Sequence, residues 1–186
     1  KAIIAVHLYG MPYKADQINS IANTYNIPVI EDSAEALGSV YKNKKCGTLA
    51  NISILSFNGN KIITTSGGGA LVTKDNNIKD KAVFLATQAR DKDPSYLHSN
   101  IGYNYRMSNV LAGIGRGQMT VLDQYVIKRR QNFEFYYNQL NKIDAIEFLD
   151  EPEDCFSNRW LSCILTPDFK TRENIRLKLE KENIET

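Results

Sequence analysis

Ser56-Phe57-Asn58-Gly59-Asn60-Lys61-Ile62-Ile63-Thr64-Thr65-Ser66-Gly67-Gly68-Gly69 is the stretch around which the chain is organised. An apolar run, Ile52-Ser53-Ile54-Leu55, leads into it and predicts a buried strand. Glycines let backbone turn freely and approach a ligand closely. A lysine held in such a loop loses solvation, which lowers the cost of its neutral, nucleophilic form. A neutral lysine amine attacks carbonyls and makes Schiff bases. A phosphate-cradling P-loop has its lysine after the glycines, as Gly-Lys-Ser/Thr. Here Lys61 precedes Gly67-Gly68-Gly69, so the order is wrong for that motif. For the stretch taken alone, a glycine-rich turn with a solvated lysine stands as the alternative.

Ile27-Pro28-Val29-Ile30-Glu31-Asp32-Ser33-Ala34-Glu35 breaks the tie. It predicts a short apolar strand ending in acids and small residues. In open α/β sheets, ligands sit beyond the carboxyl ends of the strands. An aspartate at one strand end and a lysine beyond a later one suit pyridoxal 5'-phosphate. That cofactor needs a lysine for its aldehyde and a carboxylate against its pyridinium nitrogen.

Three separated motifs then carry a family resemblance: residues 31–39 (EDSAEALGS), residues 56–61 with the glycines at 67–69, and residues 102–109 (GYNYRMSN). In this order they resemble the DegT/DnrJ/EryC1/StrS sugar aminotransferases, pyridoxal-phosphate enzymes of fold type I. The resemblance runs from Lys1 to at least Leu140. Residues 56–61 (SFNGNK), 86–90 (ATQAR) and 157–162 (SNRWLS) are similar to the bacillosamine-pathway branch. Enzymes of that branch aminate C4 of a UDP-4-keto-6-deoxy-N-acetylhexosamine, in bacterial surface-glycan or glycoprotein sugar biosynthesis.

The resemblance implies roles residue by residue. Lys61 is the Schiff-base lysine, and Asp32 faces the pyridine nitrogen. Ser56 binds the cofactor phosphate, as a hydroxyl donor suits a phosphate oxygen; its alternative is a strand-end serine capping a turn. Glu35 stands where many relatives have Gln or His near the phenolic oxygen; its alternative is a capping acid. Asp32 likewise has the alternative of a helix N-cap or a solvated strand-end acid. Asn104, between Tyr103 and Tyr105, lies on a loop that in the family reaches the neighbouring subunit's cofactor phosphate. The implied partners are a UDP-sugar and L-glutamate, and the implied assembly is a homodimer with shared active sites. A sugar dehydratase of the same fold is the rival enzyme, but such relatives have histidine in place of the lysine. A non-catalytic relative is the other rival, disfavoured by intact Lys61 and Asp32.

Composition sets the outer limits. The chain has 186 residues, a net charge of +2 and interspersed acids and bases, which argues against a nucleic-acid binder. No apolar run is long enough to span a bilayer. Cys46, Cys155 and Cys163 form no CxxC pair, and two histidines are too few for a His-rich metal site. The cysteine usage fits a reducing cytoplasm. The chain starts without methionine inside a strand-like run and ends in a helix-like one. A fragment of a longer protein is therefore expected.

Around the motifs, residues 2–8 predict a parallel strand covered on both faces. Residues 14–25 have helical spacing, and with the next strand they make a βαβ unit. Residues 40–45, with Gly47, predict a hairpin or loop, 70–73 a strand and 77–89 a helix. Residues 110–140 predict one long helix, kinked at Gly113, Gly115 or Gly117, with Lys128-Arg129-Arg130 as its solvated face. Residues 159–165 predict a strand and 171–182 a helix. The expected division is 1–142, part of a large cofactor-binding domain, and 143–186, the start of a small C-terminal domain. The fold class is α/β, a mostly parallel sheet flanked by helices.

Overall fold

The computed structural model describes residues 1–186. Its centre is a four-stranded sheet of β1 (Ile3–Val6), β2 (Val29–Asp32), β5 (Ile52–Ser56) and β6 (Gly69–Thr73), in the order β1-β2-β5-β6. The first three strands run parallel and β6 antiparallel to β5. Helix α1 (Ala15–Thr24) makes the crossover from β1 to β2. Its Ala22 and Ile18 pack against Ala5 and Val29, closing one face of the sheet.

The register divides the sheet into two unlike faces. Ala5, Glu31 and Ser53 align on the covered face and are buried. Ile4, Val6, Asp32, Ile54, Ser56 and Leu71 share the other face. There Ile4, Val6, Ile54 and Leu71 are exposed. The strand at residues 2–8 is thus covered on one face, not on both. Alternating side chains of an edge strand leave the second face bare unless another element packs on it.

Between β2 and β5 lies a hairpin of β3 (Val40–Tyr41) and β4 (Lys44–Lys45). Its two turn residues, Lys42 and Asn43, have φ of 45° and 62°, as a tight primed turn requires. After β5, the chain loops out through Lys61 and returns at the glycines. Gly68, at φ 88°, accepts the Phe57 N–H at its carbonyl, and a Cβ there would lie 2.8 Å from Met107 Cε. Here glycine serves the return of the chain into β6 as well as close packing.

Helices α2 (Asn76–Ala86), α3 (Asn109–Met119) and α5 (Phe169–Lys181) are each started by a capping side chain. Asp75, Ser108 and Asp168 accept the amides of Asn77, Leu111 and Thr171. The single long helix expected over residues 110–140 is two: α3 and then α4 (Leu122–Leu140). The break falls at Thr120–Val121, not at a glycine. The Thr120 hydroxyl donates to the Gly117 carbonyl at 2.7 Å, a local bond that competes with the helical ladder. Arg130 is no solvated charge. Its guanidinium grips Glu151, donates to the Ser157 carbonyl and lies over Phe156.

The strand expected over residues 159–165 is also absent in that form. Only β9 (Ile164–Leu165) is extended, paired with β7 (Glu147–Phe148), while β8 (Cys155–Phe156) pairs with β3. Arg159 sits at φ 50°, a conformation no strand holds. Its amide is taken by the Ser157 hydroxyl, and the Trp160 amide by Asn158 Oδ1. Trp160 is buried with Ile62 and Val126, joining the late segment, the lysine loop and α4 in one apolar cluster.

Candidate active site

The carboxyl ends of β2 and β5 bring the first two site residues together. Asp32 is the last residue of β2 and Ser56 the last of β5. Asp32 pairs with Ile54, two residues before Ser56, so both side chains stand on the open face. Strand spacing and rise put their Cα atoms roughly 8 Å apart. Asp32 Oδ1 accepts the Ala34 amide at 3.0 Å, and Oδ2 makes no hydrogen bond within the chain. The Ser56 hydroxyl accepts the Asn58 amide at 3.4 Å, leaving its own proton free to donate. No helix follows Asp32, so neither Asp32 nor Glu35 acts as a helix cap.

Lys61 and Glu35 meet across this strand end. Lys61 Nζ lies 3.6 Å from Glu35 Oε1, with side-chain exposures of 13% and 21%. Glu35 is held by its other oxygen, which accepts the Tyr9 amide at 2.7 Å. Tyr9 itself sits at φ 57°, a strained backbone that this bond helps to hold. The Lys61 ammonium also stands 4.3 Å from the centre of the Trp160 ring, within cation–π range. The lysine is therefore not the freely solvated one of the alternative reading.

Asn104 is not part of this cluster. It bridges antiparallel to Thr87 just past the C-terminal end of α2, on an exposed loop. The flanking amides of Tyr103 and Tyr105 donate to Leu85 and Ala86. Tyr103 and Tyr105 stack at 5.0 Å and are 55% and 74% exposed.

The residue that sequence reasoning passed over is Glu31. It is wholly buried on the covered face. Oε1 accepts from His7 Nε2, the Ser33 hydroxyl and the Gly47 amide, and Oε2 from the Leu49 and Ala50 amides and the Ser53 hydroxyl. Burial by itself would raise this carboxyl. The hydrogen bonds from His7, Ser53, Gly47 and Leu49 outweigh burial and bring it down to about 2. His7 Nδ1 accepts the Tyr13 amide, so Nε2 carries the proton that it donates to Glu31. His7, Glu31 and Cys46 lie close enough to suggest a metal site. The six donors leave that carboxylate no lone pair for one, and burial pushes the Cys46 thiol up to about 12. The only sequence signal for Glu31 was alternation: on a strand, the residue before Asp32 points the other way.

The donor set fits pyridoxal phosphate. A free carboxylate oxygen and an unspent hydroxyl proton stand at the carboxyl ends of β2 and β5, and a shielded primary amine lies in the loop that follows β5. Lys61 is the group that would hold the aldehyde carbon, Asp32 the ring nitrogen and Ser56 the phosphate.

The profile of the DegT/DnrJ/EryC1/StrS aminotransferase family matches residues 1–186. EpsN of Bacillus subtilis (strain 168), provisionally named a pyridoxal phosphate-dependent aminotransferase, is 51% identical over 185 residues, 100% of this chain and 48% of its own length. The GDP-perosamine synthase of Escherichia coli O157:H7 is 41% identical over 186 residues, 100% of this chain and 50% of its own. Among solved structures, Helicobacter pylori PseC, an aminotransferase involved in pseudoaminic acid biosynthesis, superposes with a TM-score of 0.90 at 27% identity. The match covers 98% of this chain and 50% of that one. The chain spans about half the length of the curated relatives it matches. The α/β fold expected from the sequence is the fold of this chain. With the family profile running from its first residue to its last, the chain belongs to the DegT/DnrJ/EryC1/StrS aminotransferase family.

Proposed function

We propose that the protein is a pyridoxal-phosphate-dependent aminotransferase acting on a nucleotide sugar. The observation that carries the reading is the shielded Lys61 amine beside Glu35, in the loop after a strand whose open-face end presents Ser56 next to Asp32 of β2. When bound, pyridoxal phosphate supplies an aldehyde that takes up and gives away an amino group, and a ring that accepts electrons. The chain's own residues do the rest. Lys61 holds the cofactor and, once released, takes a proton at Nζ and returns it, base then acid. Asp32 keeps the ring nitrogen protonated through its free oxygen. Ser56 donates to the phosphate. Glu35, anchored by the Tyr9 amide, stands where it can bond the phenolic oxygen or orient Lys61.

The finer substrate reading is a transfer from L-glutamate to C4 of a UDP-4-keto-6-deoxy-N-acetylhexosamine. It is supported by the bacillosamine-type motifs at residues 56–61, 86–90 and 157–162. The second reading is a GDP-linked 4-keto sugar, favoured by the 41% identity to a GDP-perosamine synthase. The working unit is a homodimer in which Asn104 serves the neighbour's site. This is supported by its exposed position between exposed tyrosines, on a loop bridged to Thr87. Residues 1–142 belong to the large cofactor-binding domain and 143–186 open the small one. No helix is long and apolar enough to cross a membrane, and the cytoplasm is the proposed compartment.

The test has two arms. Pyridoxal phosphate and borohydride should label Lys61 in the full-length protein, as read by peptide mass mapping. A label on another lysine overturns the site. The full-length enzyme with glutamate should then aminate UDP-4-keto sugars faster than GDP-4-keto sugars; the reverse order establishes the second reading.

A further inference from the structure

The geometry points to Trp160 as a positioning residue for Lys61, tied through Asn158 to the turn that carries Glu35. The inference rests on Lys61 being the cofactor-binding lysine.

Trp160 bears on the lysine and both its chain neighbours. Its ring faces the ammonium at 4.3 Å. Its indole N–H donates to the Asn60 carbonyl at 2.8 Å, fixing the peptide just before Lys61. Its ring packs with Ile62, just after Lys61, and with Val126. A lysine side chain has four rotatable bonds and a large rotamer entropy. Here the backbone on both sides is pinned, and the head is confined between an indole face and a carboxylate. The amine is thus held at the strand ends and does not swing into solvent.

Trp160 is in turn placed by Asn158, which is wholly buried. Asn158 Nδ2 donates to the Glu35 and Leu37 carbonyls at 2.8 and 2.9 Å. Its Oδ1 accepts the Trp160 amide at 2.9 Å, and its own amide donates to the Ser39 hydroxyl. Every polar group of the Asn158 side chain is used, so its orientation has no alternative. Gly10 leaves it just enough space. At φ 82°, a Cβ on Gly10 would lie 2.0 Å from Asn158 Oδ1. The Ser39 and Ser157 hydroxyls both donate to the Gly10 carbonyl. One strap therefore sets the backbone that bears Glu35 and the ring that bears on Lys61. A merely structural tryptophan does not need its ring face on the lysine ammonium.

The experiment compares Trp160→Leu and Trp160→Phe in the full-length protein. It reads the rate of pyridoxal phosphate trapping on Lys61 by borohydride and mass mapping, with thermal unfolding and the split of kcat from the sugar KM beside it. Trp160→Leu loses both the ring face and the N–H. It is expected to slow trapping by about tenfold or more, and to lower kcat with KM changed less than about twofold. Trp160→Phe keeps a ring and loses the N–H. It is expected to trap about threefold slower than the native protein, a partial rescue. Native-rate trapping in Trp160→Leu overturns the proposal, as does a slowing in both variants that only follows lost thermal stability. If Trp160→Leu does not fold, Trp160→Phe decides: trapping at the native rate overturns the proposal. Absence of any label on Lys61 in the native protein overturns the functional assignment instead.

Discussion

Glu31 and Asp32 are consecutive carboxylates on β2, and the sheet sends them to opposite sides. Glu31 goes to the face covered by α1, where six donors surround it. Asp32 goes to the open face, where one amide binds one oxygen and the other oxygen is free. A saturated, buried carboxylate has no capacity left for a ligand. It organises backbone: the Gly47–Ala50 loop, Ser53 of β5 and His7 are all held by it. A half-satisfied carboxylate at a strand end has that capacity. The difference separates fold from chemistry within one dipeptide, and it is measurable.

The largest effect should fall on the open face. Lys61→Ala should leave the protein folded and lower turnover by more than roughly 10⁴-fold, since covalent attachment and proton transfer both go. Steady-state assay of the full-length enzyme measures it; residual turnover near native would remove Lys61 from the chemistry.

On the covered face, Glu31→Gln should act on stability. Gln presents an NH₂ to groups that are themselves donors. The loss should be about 3–5 kcal/mol, read from urea unfolding, with a melting point lowered by roughly 10 °C. The native protein should also show an acid dependence that the variant lacks. The folded-state carboxyl lies at about 2, below its ordinary 4.5. Its contribution is fully present above 4.5 and is lost as pH falls from there through 2. Urea midpoints that decline over this window in the native protein and stay flatter in Glu31→Gln would confirm the hub.

Asp32→Asn is the mirror experiment. The melting point should move little and cofactor should still bind, while turnover drops about 100-fold or more. A destabilised but active Asp32→Asn protein would collapse the contrast between the two faces.

The smallest signal concerns Asn104. Full-length Lys61→Ala and Asn104→Ala subunits, each poorly active alone, should recover activity on mixing. In an equal mixture, half of the dimers are mixed and each has one intact site, so about a quarter of native activity returns. If mixed dimers form and nothing returns, Asn104 serves its own subunit or only packs.

Local chemistry made much of this molecule legible beforehand. The run into Ser56, the glycine return and the acid at the end of β2 depend on neighbours within a few residues. So does the spacing of α1 and α5. The α/β class followed from them, while the roles proposed for Lys61, Asp32 and Ser56 rested on the family resemblance. The errors came where a distant or competing bond decides. The Thr120 hydroxyl takes a helical carbonyl and splits the long helix, at a residue that periodicity cannot flag. Arg130 looks like a surface charge until Glu151 and Ser157 are folded against it. Trp160 falls in a run that reads as a strand, yet it and Asn158 find partners at Glu35, Leu37, Ser39 and Asn60, about a hundred residues earlier. Alternation along β2 was in the sequence, but not which face α1 would cover. Short-range preferences settle which residues can stand at a strand end. Only packing across the chain decides which of two adjacent carboxylates is buried and which is left free to bind.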